Sequence, residues 1–340
     1  MALANTPAGL LPPDVAGRAV SVVAFGGGHG LHASLSALRI LQEEVIIDEL
    51  TAVVTVADNG GSSGRLRGEF GVLPPGDLRM ALAALCGRDD WGVTWANVLQ
   101  HRFAGDGEIN GHNLGNLLIV GLWEQLGDHV AALDWVGRLL GARGRVLPMA
   151  LVPMDISAEV RGLDPADPDR LTRVRGQVEV AGTDGIIDSI ALEPADPPAS
   201  PEALAAIDAA DWVVIGPGSW FTSVLPHLMV PALRQALVET SARVVVVLNL
   251  AEQAGETQGF GPADHLGVLA AHAPDLQVHT VLADESMEDL DALGEMAQAM
   301  GAQLVTGCIA MADGSPRHDP VLLAAAYQRI LAQHGEPTRD

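Results

Sequence analysis

The amino-acid sequence predicts an α/β protein: a mostly parallel sheet with helices on both faces and a small antiparallel β insertion. Three observations carry this. Short runs rich in Val, Ile and Leu alternate with stretches of helical periodicity, as βα units require. The runs are largely continuous in Val, Ile and Leu with little alternation, the mark of strands buried on both faces. Between about 146 and 195 the texture changes: 173–180 and 188–193 alternate polar with apolar residues, as a half-exposed antiparallel sheet does. We expect a flexible lead-in over 1–17, then one α/β domain over 18–340 carrying this insertion.

Taken in order, the first strand, 20–25, ends in Gly26, Gly27, Gly28, His29 and Gly30 and leads into a helix over 34–41. Strand, glycine turn and helix start make a phosphate cradle: glycines admit close backbone approach, and the helix start offers free N–H groups. A purely structural turn accounts for the same residues, and 28–33 also fits the G-x-G-x-x-A of dinucleotide-binding proteins. The second strand, 50–56, opens into a loop with Asp58, Asn59, Ser62, Ser63, Arg65 and Arg67. Open α/β sheets bind ligands at this end, and the loop is more polar than a solvated turn needs. In a dinucleotide-binding protein Asp58 would hold a ribose hydroxyl.

Next, Pro74 to Arg79 opens an apolar helix over 78–85. Asp77 is placed as its N-cap; Arg79, a cation in the first turn, opposes the helix dipole and points to a nearby anion. Gly111 to Asn116 begins a helix over 114–126, with His112 and Asn116 on one face and Asn113 near the cap. A helix over 129–140 precedes the insertion. After it, a helix over 203–209 and a strand over 212–215 lead into a second glycine turn with Gly216, Gly218, Ser219, Thr222 and Ser223. Two cradles on one sheet imply a ligand with more than one phosphate, or a phosphate plus a sugar. A helix over 231–238 and a strand over 244–250 follow, the strand ending at Asn249 with Glu256, Thr257 and Phe260 beyond it. Phe260 either stacks on a base or packs in the core. Strands 276–283 and 304–309 and helices 264–271, 287–300 and 320–333 complete the pattern. His101, His227, His272 and His318 have no spacing that signals a site.

Charge and composition narrow the function. The chain has 340 residues, 48% of them hydrophobic, with 19 basic against 43 acidic residues for a net charge of −24. That charge repels a nucleic-acid backbone. All the basic residues are arginine, so a Walker P-loop, a Schiff base and a Ser-Lys dyad are excluded. Any phosphate must be held by arginine or by backbone N–H groups. Two cysteines, Cys86 and Cys308, provide neither a zinc cluster nor a disulfide framework and fit a reducing, cytoplasmic setting. No apolar run reaches the roughly 20 residues of a membrane span, and the start lacks the basic segment of a signal peptide.

Together the motifs resemble the YvcK family of the CofD-like superfamily, whose members are called gluconeogenesis factors. The resemblance runs from about Val22 to His265 through Gly-Gly-Gly-His-Gly-Leu, Thr-Val-Ala-Asp-Asn-Gly-Gly-Ser-Ser-Gly-Arg-Leu-Arg, Pro-Pro-Gly-Asp-Leu-Arg, Gly-His-Asn-Leu-Gly-Asn, Gly-Pro-Gly-Ser, Thr-Ser-Val and Gly-Glu-Thr, in the family's order. His29, Asn59, Asn113 and Phe260 depart from its common Thr, second Asp, small residue and Tyr. The resemblance implies a Rossmann-like fold, a cytoplasmic location and a regulatory, non-enzymatic protein that binds UDP-N-acetylglucosamine or a similar UDP-sugar. It further implies a role in cell shape, wall synthesis and growth on gluconeogenic carbon, with protein partners in wall synthesis and a homo-oligomeric state. Loops 26–30 and 216–222 would cradle the diphosphate; Asp58, Asn116 and Asn249 would bond hydroxyls; Arg65 or Arg79 would balance charge. No further cofactor is expected. The alternatives are a CofD-type transferase moving a phospholactyl-type group to a deazaflavin, with magnesium held by Asp58 and Asp77, and an NAD(P)-dependent oxidoreductase.

Overall fold

Seven parallel strands, in the order β10 (Gln303–Gly307), β9 (Thr280–Asp284), β8 (Arg243–Val247), β7 (Trp212–Ile215), β1 (Val20–Gly26), β2 (Ile47–Val54) and β3 (Arg145–Pro148), form the centre of the protein. This is a computed structural model, and it describes residues 19–253 and 255–332. The expected lead-in over 1–17 lies outside the described residues.

The chain starts near the middle of the sheet with β1 (Val20–Gly26), crosses through α1 (Gly28–Glu43) to β2 (Ile47–Val54), and passes through five helices before edge strand β3 (Arg145–Pro148). Those helices are α2 (Gly61–Phe70), α3 (Gly76–Leu85), α4 (Asp90–Gln100), α5 (Leu114–Leu126) and α6 (His129–Leu140). A separate antiparallel sheet follows, made of β4 (Asp155–Arg161), β5 (Thr172–Arg175) and β6 (Ile186–Glu193), with short α7 (Gln177–Ala181) between the last two. The chain then returns to β1's other side: α8 (Pro201–Ala209), β7 (Trp212–Ile215), a π-helical turn at Trp220–Val224, α9 (Leu225–Met229), α10 (Pro231–Glu239) and β8 (Arg243–Val247). It ends with α11 (Pro262–His272), β9 (Thr280–Asp284), α12 (Leu290–Ala299), β10 (Gln303–Gly307) and α13 (Pro320–Ala332).

Two helix groups cover the sheet. Helix α1 packs on α3 and α13, while α8, α9, α10, α11 and α12 pack among themselves. Strands β7 and β9 are buried at every residue, so their unbroken apolar runs follow from burial on both faces. The chain leaves β1 towards β2 on one side and reaches β7 on the other. The strand order reverses there, and the ends of β1 and β7 diverge into a crevice.

The structure corrects several expected boundaries. β3 lies within the expected insertion but pairs in parallel with β2, Thr51 opposite Arg145, so the antiparallel unit proper begins at β4. The alternating run 173–180 is strand only to Arg175. At Gly176 the backbone takes φ +107° and turns into α7, whose Val178 amide donates to Asn59 Oδ1 at 3.0 Å. That tertiary bond overrides the period-two pattern. The expected loop after β2 becomes α2 from Gly61 onward. Its only buried apolar side chain is Leu66, so it shows no apolar stripe. Gly64 there admits no side chain, since a Cβ would stand 1.9 Å from the Asn59 carbonyl oxygen. Helix α4, capped by Asp89 through Gly92 N, was not expected at all. Asp77 is not an N-cap: the Arg79 amide donates to Pro75 O, so α3 has already begun and Asp77 stands inside its first turn.

Candidate functional site

A cleft of about 620 Å³ opens at the switch point, within the size range of small-molecule sites. Its floor is the two glycine turns. Gly27, Gly28, His29 and Gly30 come from β1 and the start of α1; Pro217, Gly218, Ser219 and Ser223 come from the loop after β7. The turns touch so closely that a Cβ on Gly30 would lie 2.3 Å from Pro217 O and 2.5 Å from Gly218 Cα. Gly218 has φ +149°, a conformation L side chains rarely adopt. The N-cap residue Gly27 has no side chain to cap α1; the Gly28 amide bonds the Asp77 carboxyl, and the amides after it bring the positive end of the helix to the cleft.

The loop after β7 is held from behind. Asn249 accepts from Gly218 N at 2.9 Å and donates to Gly218 O at 2.7 Å, so its amide clamps one peptide. Glu256, 4% exposed, accepts from Thr222 Oγ1 at 2.6 Å, from Phe221 N at 3.0 Å and from Ser219 Oγ. Glu256 and Thr222 therefore shape the turn, and Thr257 is fully buried, accepting from Gln253 N. Phe260 sits edge-on to Phe221 and His265, at ring-centroid distances of 6.0 and 5.6 Å, and takes the packing role of its two expected alternatives.

Asp77 lines the cleft beside Gly27. Burial and the neighbouring Asp58 carboxylate raise its pKa to about 7, against the Gly28 amide and Arg79, which favour the charged form. Asp58 accepts from Gly60 N at 2.8 Å, and Asn59 reaches away to Val178 N and Glu179. These bonds hold α7 so that Gln177 reaches the cleft.

Most of the remaining expected residues of α2, α3 and the 111–116 segment form a second, buried cluster that does not line the cleft, with Arg65 exposed beside it. Ser62 Oγ is its hub: it meets His112 Nδ1 and Asn116 Nδ2 at 3.0 Å each and accepts from Asn113 N at 3.2 Å. Burial lowers the His112 pKa. Arg79 donates to the Gln100 side chain, and burial lowers its pKa to about 10. Asn116 Oδ1 and Arg79 Nε have no partner among the described residues. Ser63 stands against Gly76, next to Asp58. Arg65 spends its guanidinium on Asn110 O and Glu108 O, at 2.7 and 2.5 Å. Neither Arg65 nor Arg79 lines the cleft.

The arginine that does was missed from sequence. Arg317, with His318, lies on the segment between β10 and α13 that returns across the cleft with Met311, Pro316 and Pro320. Arg317 is tied at 2.9 Å to Asp313. A turn-rich stretch after a strand of the parallel sheet was the available signal, since ligand loops follow strand C-termini. His32, Leu250, Glu252 and Gln253 were missed likewise.

Similarities to known proteins agree with this architecture. The sequence profile of the family described as 2-phospho-L-lactate transferase CofD matches residues 22–307. A Mycobacterium tuberculosis protein named "Putative gluconeogenesis factor" is 52% identical over 92% of this chain and 90% of its own length. The "Gluconeogenesis factor" of Halalkalibacterium halodurans is 38% identical over 74% of this chain and 73% of its own. A crystal structure of a UPF0052 family member from Bacillus halodurans superposes with TM-score 0.79 at 32% identity, covering 91% of this chain and 99% of that one. The chain belongs to the CofD family, among its gluconeogenesis factors of the YvcK type.

Proposed function

We propose that the protein is a non-enzymatic, regulatory binder of a nucleotide sugar, UDP-N-acetylglucosamine or a similar UDP-sugar. The observation that carries this reading is the pair of glycine turns meeting at the switch point, under a cleft whose far wall brings Arg317. A diphosphate would take the backbone N–H groups that the turns leave unbonded at the start of α1 and the Ser223 hydroxyl. Arg317 would supply the charge that, in a chain without lysine, only arginine can. The role then follows the relatives named gluconeogenesis factors: growth on gluconeogenic carbon and, through partners in wall synthesis, cell shape. We place it in the cytoplasm as a homo-oligomer; no helix among the described residues is long and apolar enough to cross a membrane. Saturation with UDP-N-acetylglucosamine at about a hundred times its Kd should add about 2.7 kcal/mol of stability, and a deazaflavin should leave the melting temperature unchanged. A shift with NAD and none with any uridine nucleotide would replace this reading with an oxidoreductase.

One observation favours a second reading, the CofD-type transferase. Asp77, with its pKa near 7 beside Asp58, is the kind of carboxyl pair that catalytic sites tune. Two carboxylates suffice for magnesium, which keeps several waters and would supply charge neutralisation. Prolonged incubation with UDP-sugar and magnesium should return the ligand intact by chromatography. Steady UDP release, abolished by Asp58→Ala, would establish turnover instead.

A further inference from the structure

The segment between β10 and α13 is fastened to the sheet end. Asp284, at the end of β9, accepts from Ile309 N at 2.8 Å and from Ala310 N at 3.1 Å. Ala310 pairs with His318 in an antiparallel bridge, Met311 N donates to Arg317 O, and Asp319 N donates to Ile309 O. His318 sits at the base of this small hairpin, 7% exposed, and lines the cleft. Its ring hydrogen-bonds the Leu248 carbonyl, while Nε2 is buried with no partner among the described residues. Burial lowers its pKa to about 4 and keeps the ring neutral. A neutral imidazole has one N–H and one lone pair. With the N–H given to the carbonyl, this assigns the proton to Nδ1 and leaves a lone pair on Nε2.

A buried lone pair calls for a hydrogen-bond donor. A phosphate has none to give at neutral pH. Donors on a nucleotide sugar are hydroxyls, an acetamido N–H where the sugar carries one, and the ring N–H of the base. Leu250, Met311, Pro316 and Pro320 line the same cleft as His318, flat or apolar surfaces that suit the faces of a base. The position also suits a base: Leu248 and Asp284 close β8 and β9, one and two strands beyond β7, roughly 5–10 Å across the sheet from the glycine turns. Resting on the UDP-sugar reading, we propose that His318 selects the base: its Nε2 accepts the N3–H of uracil, and the hairpin between β10 and α13 forms the base subsite. Cytosine, whose N3 carries a lone pair, would set two acceptors against each other.

The test is calorimetric titration of the full chain with UDP, CDP, N3-methyl-UDP and UDP-N-acetylglucosamine, repeated on His318→Leu with its melting temperature recorded. The wild type should bind UDP about tenfold or more tightly than either analogue, the size of one buried hydrogen bond. His318→Leu should lose that preference by weakening UDP while leaving CDP unchanged. Equal wild-type affinity for UDP and N3-methyl-UDP overturns the proposal without any variant and leaves the UDP-sugar reading standing. So does a His318→Leu protein that still prefers UDP, or one that loses affinity only for the sugar-bearing ligand, which would put a sugar hydroxyl on Nε2. A wild type that binds neither UDP nor any UDP-sugar overturns the underlying reading and this proposal with it.

Discussion

Asp77 and Arg317 are two charged residues of the cleft in opposite situations. Asp77 is a carboxylate that its surroundings disfavour. Its folded pKa of about 7 lies above the usual carboxylate value, so its ionisation costs stability above pH 7, and the cost fades as pH falls towards 4. Asp77→Asn should therefore raise the unliganded melting temperature at pH 8 and leave it unchanged at pH 4, by a thermal scan at each pH; equal shifts at both would mean the charge is not the cause. Arg317 has a side chain 64% exposed, and its ion pair with Asp313 is correspondingly screened. Arg317→Ala should weaken a diphosphate ligand about tenfold or more, as loss of a hydrogen bond to a charged group does, with the unliganded melting temperature within about 1 °C of wild type. An unchanged Kd would remove the arginine from the phosphate subsite. Gly218 is a poorer probe: φ +149° means any side chain there strains the loop before a ligand is considered.

Among the elements, α7 shows most clearly what a sequence conceals. Buried strands β1, β7, β8 and β9 were legible because burial on both faces leaves unbroken apolar runs, and the glycine turns because close backbone contact excludes side chains. Helix α7 read as a continuation of β5, since its conformation is imposed from 120 residues away by the Asn59 side chain. The site divided on the same line. The expected residues Gly27, Gly28, His29, Gly30, Gly218, Ser219, Ser223 and Asn249 line one cleft. Ser62, Asn113 and Asn116, equally polar and in equally distinctive motifs, turned out to bond one another, because pattern does not tell which way a buried amide faces. Arg317 and His318 were missed because it is a hairpin folding back over the sheet that brings them to the cleft. Asn59→Ala removes the tie to α7, so amide hydrogen exchange over 177–181 should quicken by about tenfold, while β4 and β6 stay protected. Uniform exchange across the insertion would show that α7 is held by its own sheet instead.

For the molecule as a whole, acid stability should reflect two opposing groups. His227, bonded by its ring to Val53 O at 3.1 Å, and His318 are both buried neutral, each with its pKa lowered by burial to about 4. The unfolded chain takes up those protons near pH 6.5. Their stabilising contribution is thus complete above pH 6.5 and is lost as pH falls towards 4. Asp77 works the other way over an overlapping window, so the wild type should show a shallow profile between pH 4 and 6.5 and Asp77→Asn a steeper one, by melting temperature in matched buffers. Parallel profiles would mean that Asp77 does not titrate in this range. Across the sheet, the same fold that buries these groups sets two backbone cradles on one side of the switch point and a hairpin on the other, with the acidic surface of a chain of charge −24 around them. The proposed anionic ligand would be drawn to such a cleft by directed N–H groups and one arginine, against the sign of the whole molecule.

Calorimetric titration with UDP-N-acetylglucosamine, GDP and NAD, each with and without magnesium, tests that account most directly. Saturable one-site binding of the UDP-sugar, unaffected by magnesium and at least tenfold tighter than GDP or NAD, is the predicted result. Binding of GDP or NAD in its place, or UDP-sugar binding that appears only with magnesium, would contradict it.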